Sequence, residues 1–176
     1  MSDSRSFEAL VIPLLDAGFN FARWLLRDEA SAEDAVQEAA LRAFKYYKGM
    51  REVDAQPWFL SIVRNVCFTY IKERTGRHEQ FGMDEQELEA FQFDTGLTAE
   101  GPEAALQSAR NQSFIDQAMR ALPPILREII VLRELEGMSY EGIARVAGIP
   151  VGTVMSRLSR GRARLKELLI LAGARN

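Results

Sequence analysis

From Phe7 to Tyr70, and again from Phe114 to Leu165, apolar residues recur at spacings of three and four, and they never alternate with polar ones over a strand's length. A period near 3.6 builds helices with one buried face and gives a sheet nothing to build with. The expected fold class is therefore all-α. Phe7, Leu10, Val11, Leu14 and Leu15 begin the first stripe, and Phe19, Ala22, Leu25 and Leu26 continue it, as one helix or as two jointed at Pro13. Ser31 and Asp34 form a capping-box pattern for the next helix, with Val36, Ala40, Ala43 and Tyr47 facing inward and Gly49 as its stop. Pro57 suits a first helical turn, and the helix it opens turns Phe59, Ile62, Val63, Val66 and Tyr70 inward. A further helix is expected to start at Gly101-Pro102, bury Phe114, Ile115, Ala118, Met119 and Leu122, and stop at Pro123-Pro124. The next carries Ile125, Leu126, Ile129, Ile130 and Leu132 as far as Gly137.

Between the two periodic stretches the pattern lapses. Glu79 to Glu103 holds eight acidic residues, no Lys or Arg, and three glycines at Gly82, Gly96 and Gly101. Such a segment buries too little apolar surface to fold alone and is expected to be a flexible acidic linker, with one short helix around Asp84–Phe91. The chain thus divides into two small helical domains, residues 1–78 and 102–176, joined by a linker over 79–101. The net charge of −3 averages opposites: from Gly137 onward seven basic residues face only Glu141 and Glu167. A basic module behind an acidic middle points to nucleic acid. Cys67 and His78 are each the only one of their kind. That excludes a disulfide within the chain and a Cys/His metal cluster. No cofactor is expected. No apolar run looks long enough to span a bilayer, and MSDSRSFEAL has no secretory pattern, so the cytoplasm is the expected compartment, without membrane insertion.

The segment SYEGIARVAGIPVGTVMSRLSRGRARLK, residues 139–166, has the layout of a helix-turn-helix. Ser139 is an N-cap, Ile143, Ala144 and Ala147 form a small inward face, and Gly148-Ile149-Pro150 forces a turn. The second helix would bury Val154, Leu158 and Leu165. Its opposite face carries Thr153, Ser156, Arg157, Arg160 and Arg164. Guanidinium groups that can bond guanine in a bidentate fashion, set among hydroxyls, are what major-groove reading requires. A solvated basic face on a structural helix pair would look similar in charge alone. The cap, the spacing and the turn together favour DNA.

In the N-terminal half, Asp34, Gln37, Glu38 and Leu41 share a face opposite the Val36/Ala40 stripe, which is either a solvated face or a docking strip for a protein. The helix from Pro57 to Arg74 exposes a different mixture: Ser61, Arg64, Asn65, Phe68, Thr69 and Lys72, continuing to Arg74 and Arg77. Cations interleaved with aromatic and amide groups suit single-stranded DNA, where bases stack and phosphates need charge. Trp58 fits either this surface or the core.

Taken together, SAEDAVQEAALRAF, PWFLSIVRN and LPPILREIIVLRELEGMSYEGIARVAGIPVGTVMSRLSRGRARL resemble the extracytoplasmic-function (ECF) group of RNA polymerase sigma factors, in the sigma-70 family. The resemblance spans both modules and implies that 1–78 is a region 2 helical bundle and 102–176 a region 4 helix-turn-helix. It implies a function: binding core RNA polymerase, through its largest and second-largest subunits, and directing it to promoter DNA. Asp34, Gln37, Glu38 and Leu41 match the segment that docks on the largest subunit, and the loop from Lys48 to Gln56 matches one that captures a flipped base. Arg64, Asn65, Thr69 and Lys72 match the helix that melts and reads the minus-ten element. Thr153, Ser156, Arg157, Ser159 and Arg160 match the helix that reads the minus-thirty-five element. An anti-sigma partner, holding the factor silent and in some cases at the membrane, is implied by the resemblance alone. Thr69, Gly142 and Met155 depart from frequent family choices of Asp, Glu and Lys or Arg. Two other classes fit parts of the chain: a plain helix-turn-helix regulator with an N-terminal ligand or dimerisation domain, and an enzyme using the carboxylates of 84–94.

Overall fold

The computed structural model describes residues 7–49, 54–75 and 105–174. Among these every regular element is helical. The order is α1 (Phe7–Val11), a 3₁₀ turn (Ile12–Leu14), α2 (Leu15–Leu26), α3 (Glu29–Tyr46), a second 3₁₀ turn (Tyr47–Gly49), α4 (Ala55–Thr75), α5 (Ala105–Ala121), α6 (Pro124–Ile130), a π-helical turn (Val131–Leu135), α7 (Tyr140–Ala147) and α8 (Val151–Ala174). The linker expected over 79–101 and its short helix lie outside the described residues, as do Arg77, His78 and Met50–Val53 in the middle of the 48–56 loop.

The N-terminal module is a bundle in which α2, α3 and α4 pack on one another. Pro13 takes the first turn of a 3₁₀ segment, which joints the first stripe into two helices as the sequence allows. α2 approaches α4 closely at Gly18, where an added Cβ would lie 2.9 Å from Phe59 Cε1. Phe21, Ala22, Leu25, Phe59, Leu60, Val63 and Val66 close this core, each at most 2% exposed.

Several local expectations change here. α3 starts two residues before Ser31, because Asp28 is the N-cap and accepts from Ser31 N at 2.9 Å. Its buried stripe is Ala32, Ala35, Val36, Ala39 and Ala43, so Ala40 and Tyr47 are only half-buried. Small alanines let α3 lie close against its neighbours, and that close packing moves the buried face by one position. Phe7–Leu26 forms a 20-residue helical run, and an 18-residue stretch within it has mean hydropathy 1.3, long and apolar enough to cross a membrane by length and composition. It contains no uninterrupted apolar run of that length, because Glu8, Asp16 and Arg23 punctuate it. In the fold, Val11, Phe21, Ala22, Leu25 and Leu26 are buried in the bundle.

In the C-terminal module, Pro124 opens α6 from Pro123, and α6 with α7 cradles α8. Ile125, Leu126, Ile129, Ile130 and Leu132 are buried as expected, whereas Ile115 on α5 is 47% exposed. The π-helical turn shows as an i→i−5 bond, Glu136 N donating to Val131 O at 3.1 Å. It is followed by Gly137 at φ +64.

The two modules touch. α4 packs against α7 and α2 against α6, and one continuous apolar core runs through both.

Candidate nucleic-acid interface

α7, the turn and α8 form the expected helix-turn-helix. Ser139 Oγ accepts from Gly142 N at 3.1 Å, and Gly148 ends α7 at φ +66, a conformation that costs a residue with a Cβ about 1–2 kcal/mol. α8 begins at Val151 and buries Val154, Leu158 and Leu168. α8 crosses α6 at Gly161, where a Cβ would meet Ile130 Cγ1 at 3.0 Å. On the outward side Ser156, Ser159 and Arg160 are exposed, together with Met155, while Thr153 is half-buried. Arg164 pairs with Glu167 at 2.8 Å, and Arg162 with Glu134 at 2.5 Å. An apolar groove of about 450 Å³ opens beside them between Ile130, Leu165, Leu169 and Ile170.

Arg157 is the exception on that face. It is half-buried, and burial pulls its guanidinium below its ordinary range while the nearby carboxylate of Glu128 pushes the other way.

On α4, Asn65 and Thr69 are exposed, and Thr69 Oγ1 donates to Asn65 O at 2.9 Å. Lys72 is half-buried. Phe68, expected on this outer face, is instead 5% exposed, with the Arg64 guanidinium 4.4 Å from its ring centroid. Trp58 is half-buried against the core, its carbonyl accepting from Ser61 Oγ at 2.6 Å. Arg64 itself is bound within the chain. Its Nε donates to Glu128 Oε2 at 2.5 Å and its Nη2 to Glu128 Oε1 at 3.0 Å, a bidentate pair joining α4 to α6.

The acidic strip on α3 is laid out as expected, with Asp34, Gln37 and Leu41 exposed and Leu41 at 72%. Glu38 differs, because it pairs with Arg42 and accepts from Tyr70 OH at 3.1 Å, so it helps hold α3 on α4. Phe44 continues the strip at 65% exposure and was not singled out from sequence, although it sits three residues beyond Leu41. Among the described residues no three His, Cys, Asp or Glu side chains are grouped to hold a metal ion.

Sequence reasoning also passed over Arg127 and Glu128, two consecutive charged residues that are fully buried. Arg127 donates from Nη1 to Trp24 O at 2.9 Å and Leu25 O at 3.2 Å, and from Nη2 to Leu122 O at 2.8 Å. It thereby caps the carbonyl end of α2, where a cation also meets the negative end of the helix dipole. Burial pulls its guanidinium down to about 9, still protonated at neutral pH, and burial likewise raises the carboxyl of Glu128. Within LPPILREII the pair reads as an ordinary polar break in an apolar helix. Nothing local tells that each has a partner more than 60 residues away.

These features define a two-module helical protein with a helix-turn-helix at one end, and comparison with known proteins places it. The sigma-70 region 2 family model matches residues 10–77 and the sigma-70 region 4 model residues 115–165. The chain is 31% identical over 169 residues to the RNA polymerase sigma-H factor of Pseudomonas aeruginosa, covering 95% of this chain and 88% of that one. It is 34% identical over 131 residues to the ECF RNA polymerase sigma-E factor of Escherichia coli, covering 73% and 69%. Among solved structures it resembles the sigma factor RpoE of Bartonella quintana, crystallised with the anti-sigma factor NepR, at TM-score 0.66 and 28% identity over 93% of this chain and 96% of that one. It also resembles CnrH in complex with the cytosolic domain of CnrY, at TM-score 0.63 and 25% identity over 97% and 91%. The chain belongs to the sigma-70 family of RNA polymerase sigma factors, in its extracytoplasmic-function group.

Proposed function

We propose that this protein is a promoter-specificity subunit that assembles with core RNA polymerase, reads the minus-thirty-five element as duplex through α8, and melts and holds the minus-ten element through α4. The observation that carries it is the pairing of a complete helix-turn-helix with a second helix, α4, that presents Asn65, Thr69 and Lys72 along one side. Both lie within the matched sigma regions. Residues 1–78 would be the docking and melting domain, 79–101 the connection, and 102–176 the duplex-reading domain. Asp34, Gln37, Glu38 and Leu41 would face the polymerase's largest subunit, with Phe44 extending the surface. Arg64 would act with Asn65, Thr69 and Lys72 on single strand. Thr153, Ser156, Arg157, Ser159 and Arg160 would contact the duplex.

The work is done by binding energy, without nucleophile, general base or cofactor. One similar sigma factor was crystallised with an anti-sigma factor, and CnrH with the cytosolic domain of CnrY, which supports a protein antagonist here and a cytoplasmic site of action, at the membrane where that antagonist is anchored. Promoter-specific run-off transcription with purified core polymerase tests the assignment. Arg160→Ala should cut transcript yield about tenfold or more while a polymerase pull-down stays unchanged, because one lost base or phosphate contact costs about 1–3 kcal/mol. Equal loss of polymerase binding would refute the role given to α8.

A further inference from the structure

The DNA-facing helices of the two modules converge on one carboxylate. Glu128 is fully buried on α6, and Arg64 of α4, with its side chain 15% exposed, grips both of its oxygens. Arg157 of α8 lies half-buried within the field of the same carboxylate. One step back along α6, Arg127 caps the end of α2. Asn20 Nδ2 donates to Glu136 Oε1 at 2.7 Å, and Arg145 faces Asp54 at 3.4 Å.

The modules come within ordinary contact distance at Gly142. This residue of α7 is buried, and a Cβ there would already lie 3.8 Å from Pro57 Cγ at the start of α4. A glutamate at position 142 would have to enter that contact.

The modules share one apolar core, and the polar contacts set into it make their fit specific. Buried ion pairs return little net stability over their desolvation cost, yet punish the loss of one partner.

We propose that Glu128 is an intramolecular latch: in the free chain it holds Arg64 and draws in Arg157, so that the closed arrangement and promoter binding exclude one another. The proposal rests on the promoter-reading roles given above to those two arginines. A closed form that dominates by about tenfold lowers apparent DNA affinity by about tenfold.

Asn20 offers a test away from every proposed DNA contact. In the full-length protein, Asn20→Asp places a carboxylate against Glu136, and Asn20→Lys places a cation there. Solution scattering reads compactness, and anisotropy with a labelled promoter duplex reads DNA binding without polymerase. Run-off transcription with saturating core polymerase forms the third arm. We expect Asn20→Asp, and separately Glu128→Gln, to expand the chain and tighten duplex binding about tenfold. Asn20→Lys should stay compact and bind as the wild type does, and both Asn20 variants should transcribe normally. The latch is overturned if neither Asn20→Asp nor Glu128→Gln expands the chain. It is equally overturned if expansion brings no gain in duplex binding, or if the wild type already scatters as two separate modules. Absence of promoter-specific transcript from the wild type would instead overturn the proposed function, a failure the other two arms do not share.

Discussion

Arg127 is the side chain whose loss should be felt most widely. Three carbonyl oxygens depend on it, two of them at the end of α2 and one in the turn before α6, while its own Nε finds no partner. Arg127→Met would fill the volume and abandon all three oxygens in a dry interior. Hydrogen bonds to a charged donor contribute about 1.5–3 kcal/mol each, and unsatisfied carbonyls add their desolvation cost. We expect chemical denaturation to show at least about 3 kcal/mol lost, with the midpoint shifted and the slope unchanged. Cys67 gives a second residue-scale expectation. Burial raises its thiol from 9.0 to about 12, and the residue is fully enclosed by the N-terminal bundle. An acid whose folded pKa lies above its unfolded one stabilises the fold below the lower value and loses that contribution as pH climbs through the higher one. At pH 8 the folded protein should therefore resist a disulfide reagent that labels it promptly in guanidinium. Prompt labelling without denaturant would mean that α4 opens locally.

At the scale of elements, the α2–α3 corner is the most economical place to change stability. Arg27 ends α2 at φ +60, and it stands near Arg120 of like charge. Arg27→Gly removes both the left-handed strain and the repulsion, and should raise the melting temperature by several degrees, equivalent to about 1–2 kcal/mol. Asp28→Ala next to it should do the reverse by about 1 kcal/mol, since the α3 cap is lost. The elements themselves were legible from sequence because stripes, prolines and glycines act locally: Pro13 joints α1 to α2, Gly148 ends α7, and Ser139 caps it. What escaped depended on contacts across the fold. The start of α3 passed from Ser31 to Asp28 because the left-handed turn at Arg27 ends α2 one residue earlier and leaves Asp28 to cap. Phe68 left the outer face of α4 because it joins the buried core, with the Arg64 guanidinium over its ring. Arg64, picked out as a cation for DNA, has that chemistry, but Glu128, its partner in this arrangement, lies 64 positions away and follows no periodic rule.

For the molecule as a whole, a continuous core across two modules predicts that they unfold together. Calorimetry of the wild type should give a single transition whose van't Hoff and calorimetric enthalpies agree, and Asn20→Asp should split it into two. Two resolved transitions in the wild type would show that the modules do not support each other. The adjacency of Arg127 and Glu128 has a consequence in time. The two side chains reach different helices of the neighbouring module, one the end of α2 and the other the middle of α4. Separating the modules requires the release of both contacts. Parting is therefore one activated event with one lifetime rather than a gradual swing, and mixing experiments that follow DNA capture should reach a rate plateau that more DNA cannot raise.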